Sequence, residues 1–137
     1  MSTVEFARNL SDHPASDDQR AEILKNPGVG NYFTDHTVVI DWTEGEGWQN
    51  ARVEPYGPIS LDPAASVFHY GQEVFEGLKA YRHADGSVRT FRPEKNAERI
   101  NTSAARLALP PLPVELFVED VTLRVEVDAA CAQSRDG

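Results

Sequence analysis

The sequence predicts an α+β domain in which an antiparallel sheet carries helices on one face. Three observations predict it. A β-branched and aromatic run, Thr37-Val38-Val39-Ile40-Asp41-Trp42, leads into a glycine turn; an Asp85-Gly86 pair separates two extended segments; and apolar residues at helical spacing follow Pro93. Strands first, with helices then segregated to one side, is the layer arrangement that this order of signals favours.

Residues 1–30 read as an N-terminal arm. The stretch 11–31 is polar, is punctuated by Pro14, Pro27, Gly28 and Gly30, and leaves room for one short helix around Asp17–Lys25. From His36 the character changes: β-branched and aromatic side chains suit a pleated, half-buried surface, so residues 37–42 read as a strand. Gly45-Glu46-Gly47 then turns the chain into a second strand at 50–54, which makes a hairpin. Pro55, Gly57, Pro58 and Pro63 mark irregular chain before Val67-Phe68-His69-Tyr70. Residues 78–82 read as a strand, Ala84-Asp85-Gly86 as a tight turn and residues 87–91 as the antiparallel partner, because Asp-Gly readily supplies the positive φ that short hairpin turns need. The single expected sheet is built from the segments near Thr37, Asn50, Leu78 and Ser87.

Pro93 suits the first turn of a helix, where its missing N–H leaves no bond unmade. Ala97, Ile100, Ala104 and Leu107 give that helix an apolar stripe, and Leu109-Pro110-Pro111-Leu112-Pro113 ends it. A further helix begins near Pro113 with Val114, Phe117, Val118 and Val121 on one side. Val121, Leu123, Val125 and Val127 also alternate with strand period, and helix is the preferred reading of the two. Residues 31–128 thus form the domain, and residues 129–137, small and polar, give no element.

Bulk properties narrow the function. At 137 residues, with 40% hydrophobic and 26% charged residues, the chain has the composition and size of one soluble globular domain that buries a core without disulfide or metal. Cys131 is the only cysteine, so no internal disulfide forms, and it lies outside any Cys/His spacing that reads as a zinc site; no metal is expected, and a cytoplasmic setting is. No apolar run is long enough to cross a bilayer, so no membrane partner is expected. A net charge of −9 disfavours nucleic acid, which needs clustered Lys and Arg to displace counterions. Arg89, Arg92, Arg99 and Arg106 nevertheless form a short basic stretch suited to a small anion.

The most unusual stretch is His69-Tyr70-Gly71-Gln72-Glu73-Val74-Phe75-Glu76-Gly77-Leu78-Lys79-Ala80-Tyr81, which sets aromatic, acidic and basic groups between glycines. Read by itself it is either a ligand-contacting segment or a core hairpin with Tyr70, Phe75 and Tyr81 as packing residues. Glu73 and Glu76 are better read as solvated, or paired with Lys79 or an arginine, than as an acid/base pair. Asp35-His36 has no activated Ser or Cys motif beside it, and a structural role is the better reading. Gly28-x-Gly30 and Gly45-x-Gly47 lack the third glycine and strand-to-helix context of a dinucleotide fingerprint and read as turns.

The run His69 to Tyr81, followed by Phe91-Arg92-Pro93 and Asn96-Ala97-Glu98-Arg99, is similar to the class IV aminotransferases, specifically their branched-chain members. Thr34-Asp35-His36 and Arg106-Leu107-Ala108-Leu109-Pro110 also resemble that family, and the likeness covers residues 28–128. It implies the small N-terminal domain of the fold-type IV enzymes, pyridoxal 5'-phosphate as coenzyme, and amino and 2-oxo acids as substrates. It also implies a homodimer whose partner helps to close the site. Arg99 corresponds to the arginine that grips the coenzyme phosphate, a role that suits a planar, permanently charged fork. Tyr70 and Phe75 resemble residues lining the substrate pocket, a hydroxyl at its edge and an apolar wall. Val29 is a departure, since the branched-chain enzymes commonly have phenylalanine there.

The resemblance further implies that this chain supplies only the small domain and contains no catalytic residue. The lysine that carries the coenzyme lies beyond residue 137, and Lys25, Lys79 and Lys95 read as exposed, protonated side chains. The activity implied for the full-length parent is amino transfer between leucine, isoleucine or valine and 2-oxoglutarate, with the chain inactive alone. A D-amino-acid aminotransferase, an aminodeoxychorismate lyase and a non-catalytic interaction module are the alternatives.

Overall fold

The computed structural model describes residues 4–132. They form a small α+β domain with a three-stranded mixed sheet and a separate two-stranded antiparallel sheet. The larger sheet has the order β1-β3-β2, where β1 is Ala7–Arg8, β2 His36–Thr43 and β3 Gly47–Pro55. The β2–β3 hairpin is the one the sequence predicts. Between Val39–Arg52 and Asp41–Gln49 its register slips by one residue on β3, and there Asn50 takes a φ of 52°. Asn tolerates this left-handed conformation better than most residues, and such a bulge sharpens the local twist.

Two features of the N-terminal arm follow from short-range chemistry. Helix α1, Asp17–Lys25, starts at a capping box in which Ser16 accepts from the Gln19 N–H while the Gln19 side chain accepts from the Ser16 N–H. Strand β1 pairs in parallel with β3, Ala7 opposite Arg52, and the sequence reading had no strand there.

The expected single antiparallel sheet is corrected by the structure. Strands β4, Ala80–Arg82, and β5, Val88–Thr90, pair only with each other and are shorter than the segments 78–82 and 87–91. Their turn closes locally: Gly86 N–H donates to the His83 carbonyl and Asp85 accepts from the Ser87 N–H. Pairing through so short a loop costs little closure entropy, whereas joining β2 requires closure across the whole proline-punctuated stretch between β3 and β4. Ahead of β4 the chain forms a short helix α2, Ser66–Tyr70, capped by Gly71 at φ 58°. Residues 71–79 form no regular element.

Helix α3, Pro93–Arg106, carries Pro93 in its first turn, and α4 is Val114–Val127, helical as preferred. The two pack on each other, and α4 packs on β2. Ala51 and Val53 of β3, Ala97 and Ala104 of α3, and Leu116, Phe117 and Leu123 of α4 form the buried core. Leu107, expected in the α3 stripe, is 40% exposed at the helix end. On α4 the buried side is 116/117/123; Val114, Val118 and Val121 are half-buried. The side-chain amide of Asn101 holds the connection, donating to the Leu112 carbonyl at 2.7 Å and accepting its N–H at 2.8 Å. After α4 a single 3-10 turn, Ala129–Cys131, packs against α1, which corrects the expectation of no element over 129–137; residues 133–137 lie outside the described residues.

Candidate functional site

Arg99 lies on α3, seven positions after its N-cap, Arg92. Its stem runs out to solvent, with 66% of the side chain exposed, yet its guanidinium is not free to swing. Glu76 holds it side-on: Nε donates to Oε2 at 2.7 Å, and Nη2 donates to Oε1. The Glu76 side chain is only 6% exposed. Two further donors reach the same carboxylate, Asn96 Nδ2 at 3.0 Å and the Gly77 N–H at 3.1 Å. Asn96 also donates to the Gly77 carbonyl at 3.1 Å, which ties α3 to the loop before β4.

The electrostatic result follows from these contacts. The Arg99 fork, seconded by Asn96 and Gly77, outweighs the cost of covering the carboxylate and brings Glu76 down to about 2. The same contact raises the already high Arg99. Because the Glu76 grip occupies Nε and one side of Nη2, the guanidinium turns Nη1 and the outer Nη2 hydrogen away from the carboxylate. Among the described residues that edge has no hydrogen-bond partner, and it is a two-nitrogen donor set for an anion.

The loop gives the neighbouring aromatics their places. His69 anchors α2 by Nε2 to the Pro63 carbonyl at 2.8 Å, and Gln72 donates to the Leu107 carbonyl at 2.8 Å, fixing the loop to the end of α3. Phe75 immediately precedes Glu76, and its ring lies over Gly77. The structure thus brings Phe75 and Arg99 to one place through Glu76. Tyr70 stands at the end of α2, and Val29 in a turn between Gly28 and Gly30, both at positive φ. Exposures of 85% for Tyr70, 91% for Phe75 and 98% for Val29 show that the described residues do not enclose a pocket around them.

Other candidate groups have structural partners. Asp35 accepts from Arg20 and from the Ala15 N–H, each at 3.0 Å, and His36 lies between the Ser11 N–H and the Asp128 carboxylate. Asp35, Asp128 and Cys131 come within 4.8 Å of one another, but both carboxylates are already engaged by Arg20 and His36. A cavity of about 310 Å³ opens beside Ile23, Phe33, Lys79, Tyr81 and Cys131, and it contains none of Arg99, Tyr70 and Phe75. Lys25 pairs with Glu22, and Lys95 with Glu98. No helix among the described residues is long and apolar enough to cross a membrane.

Sequence reasoning left Glu76 between solvent, Lys79 and an arginine; its partner is Arg99. Asn96 was not singled out, and an Asn one turn before the arginine was the available signal.

No family model matches the chain. Curated relatives do. A branched-chain-amino-acid aminotransferase of Mycolicibacterium smegmatis is 58% identical over 125 residues, which is 91% of this chain and 34% of the relative. A "probable branched-chain-amino-acid aminotransferase" of Streptomyces coelicolor is 53% identical over 137 residues, all of this chain and 38% of the relative, so the match includes the residues after Asp128. Branched-chain-amino-acid transaminase 1 of Bacillus subtilis is 54% identical over 101 residues, 74% of this chain and 28% of the relative. The chain spans about a third of the length of the curated relatives it matches.

Proposed function

Because the chain belongs to the branched-chain-amino-acid aminotransferases, we propose that the protein it forms part of moves an amino group reversibly between leucine, isoleucine or valine and 2-oxoglutarate. The observation that carries this reading is the 58% identity over 91% of the chain. In the same reading the chain is the small N-terminal domain of a fold-type IV enzyme. The larger domain, with the lysine that carries the coenzyme, lies outside residues 1–137, and the protein works as a homodimer.

Pyridoxal 5'-phosphate supplies, when bound, an electron sink for the substrate's α-carbon. The chemistry of the donor set fits its phosphate: Arg99 has a fixed charge, a geometry locked by Glu76 and an unused donor edge. Arg99 therefore holds the phosphate end. Phe75, beside this arginine, gives an apolar wall suited to a branched aliphatic side chain, and the Tyr70 hydroxyl orients the polar end of the substrate. With valine at position 29 in place of the family's common phenylalanine, the substrate pocket is more open on that side. Their high exposure supports a site completed by further protein surface.

The test is amino transfer by the intact protein from L-leucine and, separately, from D-alanine to 2-oxoglutarate, following glutamate formation. Turnover with L-leucine supports the proposal. Turnover confined to D-alanine moves the protein to another branch of the class IV enzymes, and no turnover with coenzyme bound points to a non-catalytic module.

A further inference from the structure

An exposed arginine is a weak anion ligand until something orders it, because a long stem samples many rotamers and binding must arrest them. Arg99 is ordered before any anion arrives. Its partner Glu76 is fixed by four donors, Arg99 Nε, Arg99 Nη2, Asn96 Nδ2 and the Gly77 N–H. Asn96 sits three residues before Arg99 on the same helix and spans from the carboxylate to the Gly77 carbonyl. The clamp joins α3 to the loop that carries Phe75.

We propose that Glu76, steadied by Asn96, is a positioning residue that aims the free edge of Arg99 at the coenzyme phosphate; the inference rests on the reading of Arg99 as the phosphate residue. Two effects oppose each other. The Glu76 charge repels a nearby phosphate, which argues that removing it tightens binding. The clamp removes the rotamer freedom of the Arg99 stem, which argues that removing it weakens binding. Glu76 grips the Nε side of the guanidinium, opposite the edge offered to the anion, so its charge acts across Arg99 and is offset by the arginine it pairs with, whereas the ordering effect is undiminished. Positioning therefore wins.

The measurement is the affinity of the intact protein for pyridoxal 5'-phosphate relative to pyridoxal, which lacks the phosphate, by fluorescence titration. Glu76→Gln should reduce that preference about 3- to 10-fold, the range expected for re-freeing one rotamer-rich side chain. The Arg99 Nε–H signal in a nitrogen-proton NMR spectrum should shift in the same variant. If Glu76→Gln does not fold, Asn96→Ala, which keeps both charges, should lower the preference in the same direction. An unchanged or increased preference in either variant, while Arg99→Ala lowers it, overturns the positioning role and leaves Arg99 in the site. An unchanged preference in Arg99→Ala removes Arg99 from the site and this inference with it.

Discussion

His36 and Asp128, 92 residues apart in the chain, meet as a buried pair with Nδ1 and Oδ1 2.8 Å apart. The Ser11 N–H donates to Nε2 at 3.0 Å, so Nε2 carries a lone pair and Nδ1 carries the proton. The imidazole thus donates from Nδ1 to Asp128, whose other oxygen accepts the His36 backbone N–H at 3.3 Å. One side chain at the end of α4 thereby fixes the first residue of β2.

Asp128→Ala leaves two donors of His36 buried without a partner. Each unsatisfied donor costs about 1–3 kcal/mol, so the variant should lose stability on that scale. A shift in the urea midpoint at unchanged slope is the expected result. Nitrogen NMR of the imidazole should show the proton on Nδ1; a proton on Nε2 would contradict the hydrogen bond from Ser11.

Asp120 on α4 gives a pH dependence of defined sign. Burial raises its carboxyl to about 6, against a smaller opposing pull from Arg124. A carboxyl raised in the folded state binds its proton more tightly there than in the unfolded chain. Stability from this group is therefore full below about 3.8 and is lost as pH rises through about 6. Asp120→Asn should accordingly gain about 1–3 kcal/mol at pH 8 and almost nothing at pH 4. Thermal melts of both proteins at the two pH values decide it, and an equal gain at both would mean that the carboxyl is not the cause.

The β2–β3 hairpin and α1 were legible because their signals are local: β-branched residues around a glycine turn, and a polar stretch bounded by Pro14 and Pro27. Strand β1 was not, because two residues of no particular propensity become a strand only when β3 lies beside them. The Asp85-Gly86 hairpin was legible as a pair, while its separation from the larger sheet depends on where residues 56–79 travel. At the site, Arg99 was named through family resemblance and not through its helical position, which by itself reads as a solvated arginine. Glu76 shows the limit most clearly. Its covering and its partner arise only when α3 packs beside the 71–79 loop, and no periodicity records that.

The Asn101 clamp offers a test of how the two helices are joined. Its amide both donates to and accepts from Leu112, so the side chain fits this place in one orientation only. Asn101→Asp keeps the acceptor for the Leu112 N–H but sets a carboxylate oxygen against the Leu112 carbonyl. It should destabilise at neutral pH at least as much as Asn101→Ala, by about 1–3 kcal/mol. Chemical unfolding of the two variants makes the comparison, and a neutral Asn101→Asp would show that the donor half of the clamp contributes nothing.

Residues 1–137 by themselves, mixed with pyridoxal 5'-phosphate and L-leucine, should show no amino transfer above the rate of the free coenzyme. In the reaction proposed for the intact protein, a lysine placed to move a proton at the substrate's α-carbon contributes about 10²–10⁴-fold, as a positioned acid/base group does. Lys25 pairs with Glu22 at 2.5 Å and Lys95 with Glu98 at 2.6 Å, both on the surface. Lys79 is exposed and lines the cavity that contains none of Arg99, Tyr70 and Phe75. Any modification of these three should therefore be slow and distributed among them. Borohydride trapping with peptide mass mapping reads this out: one specifically labelled lysine, accompanied by turnover of L-leucine, would place the reactive centre within these residues and displace the proposed division of labour between the two domains.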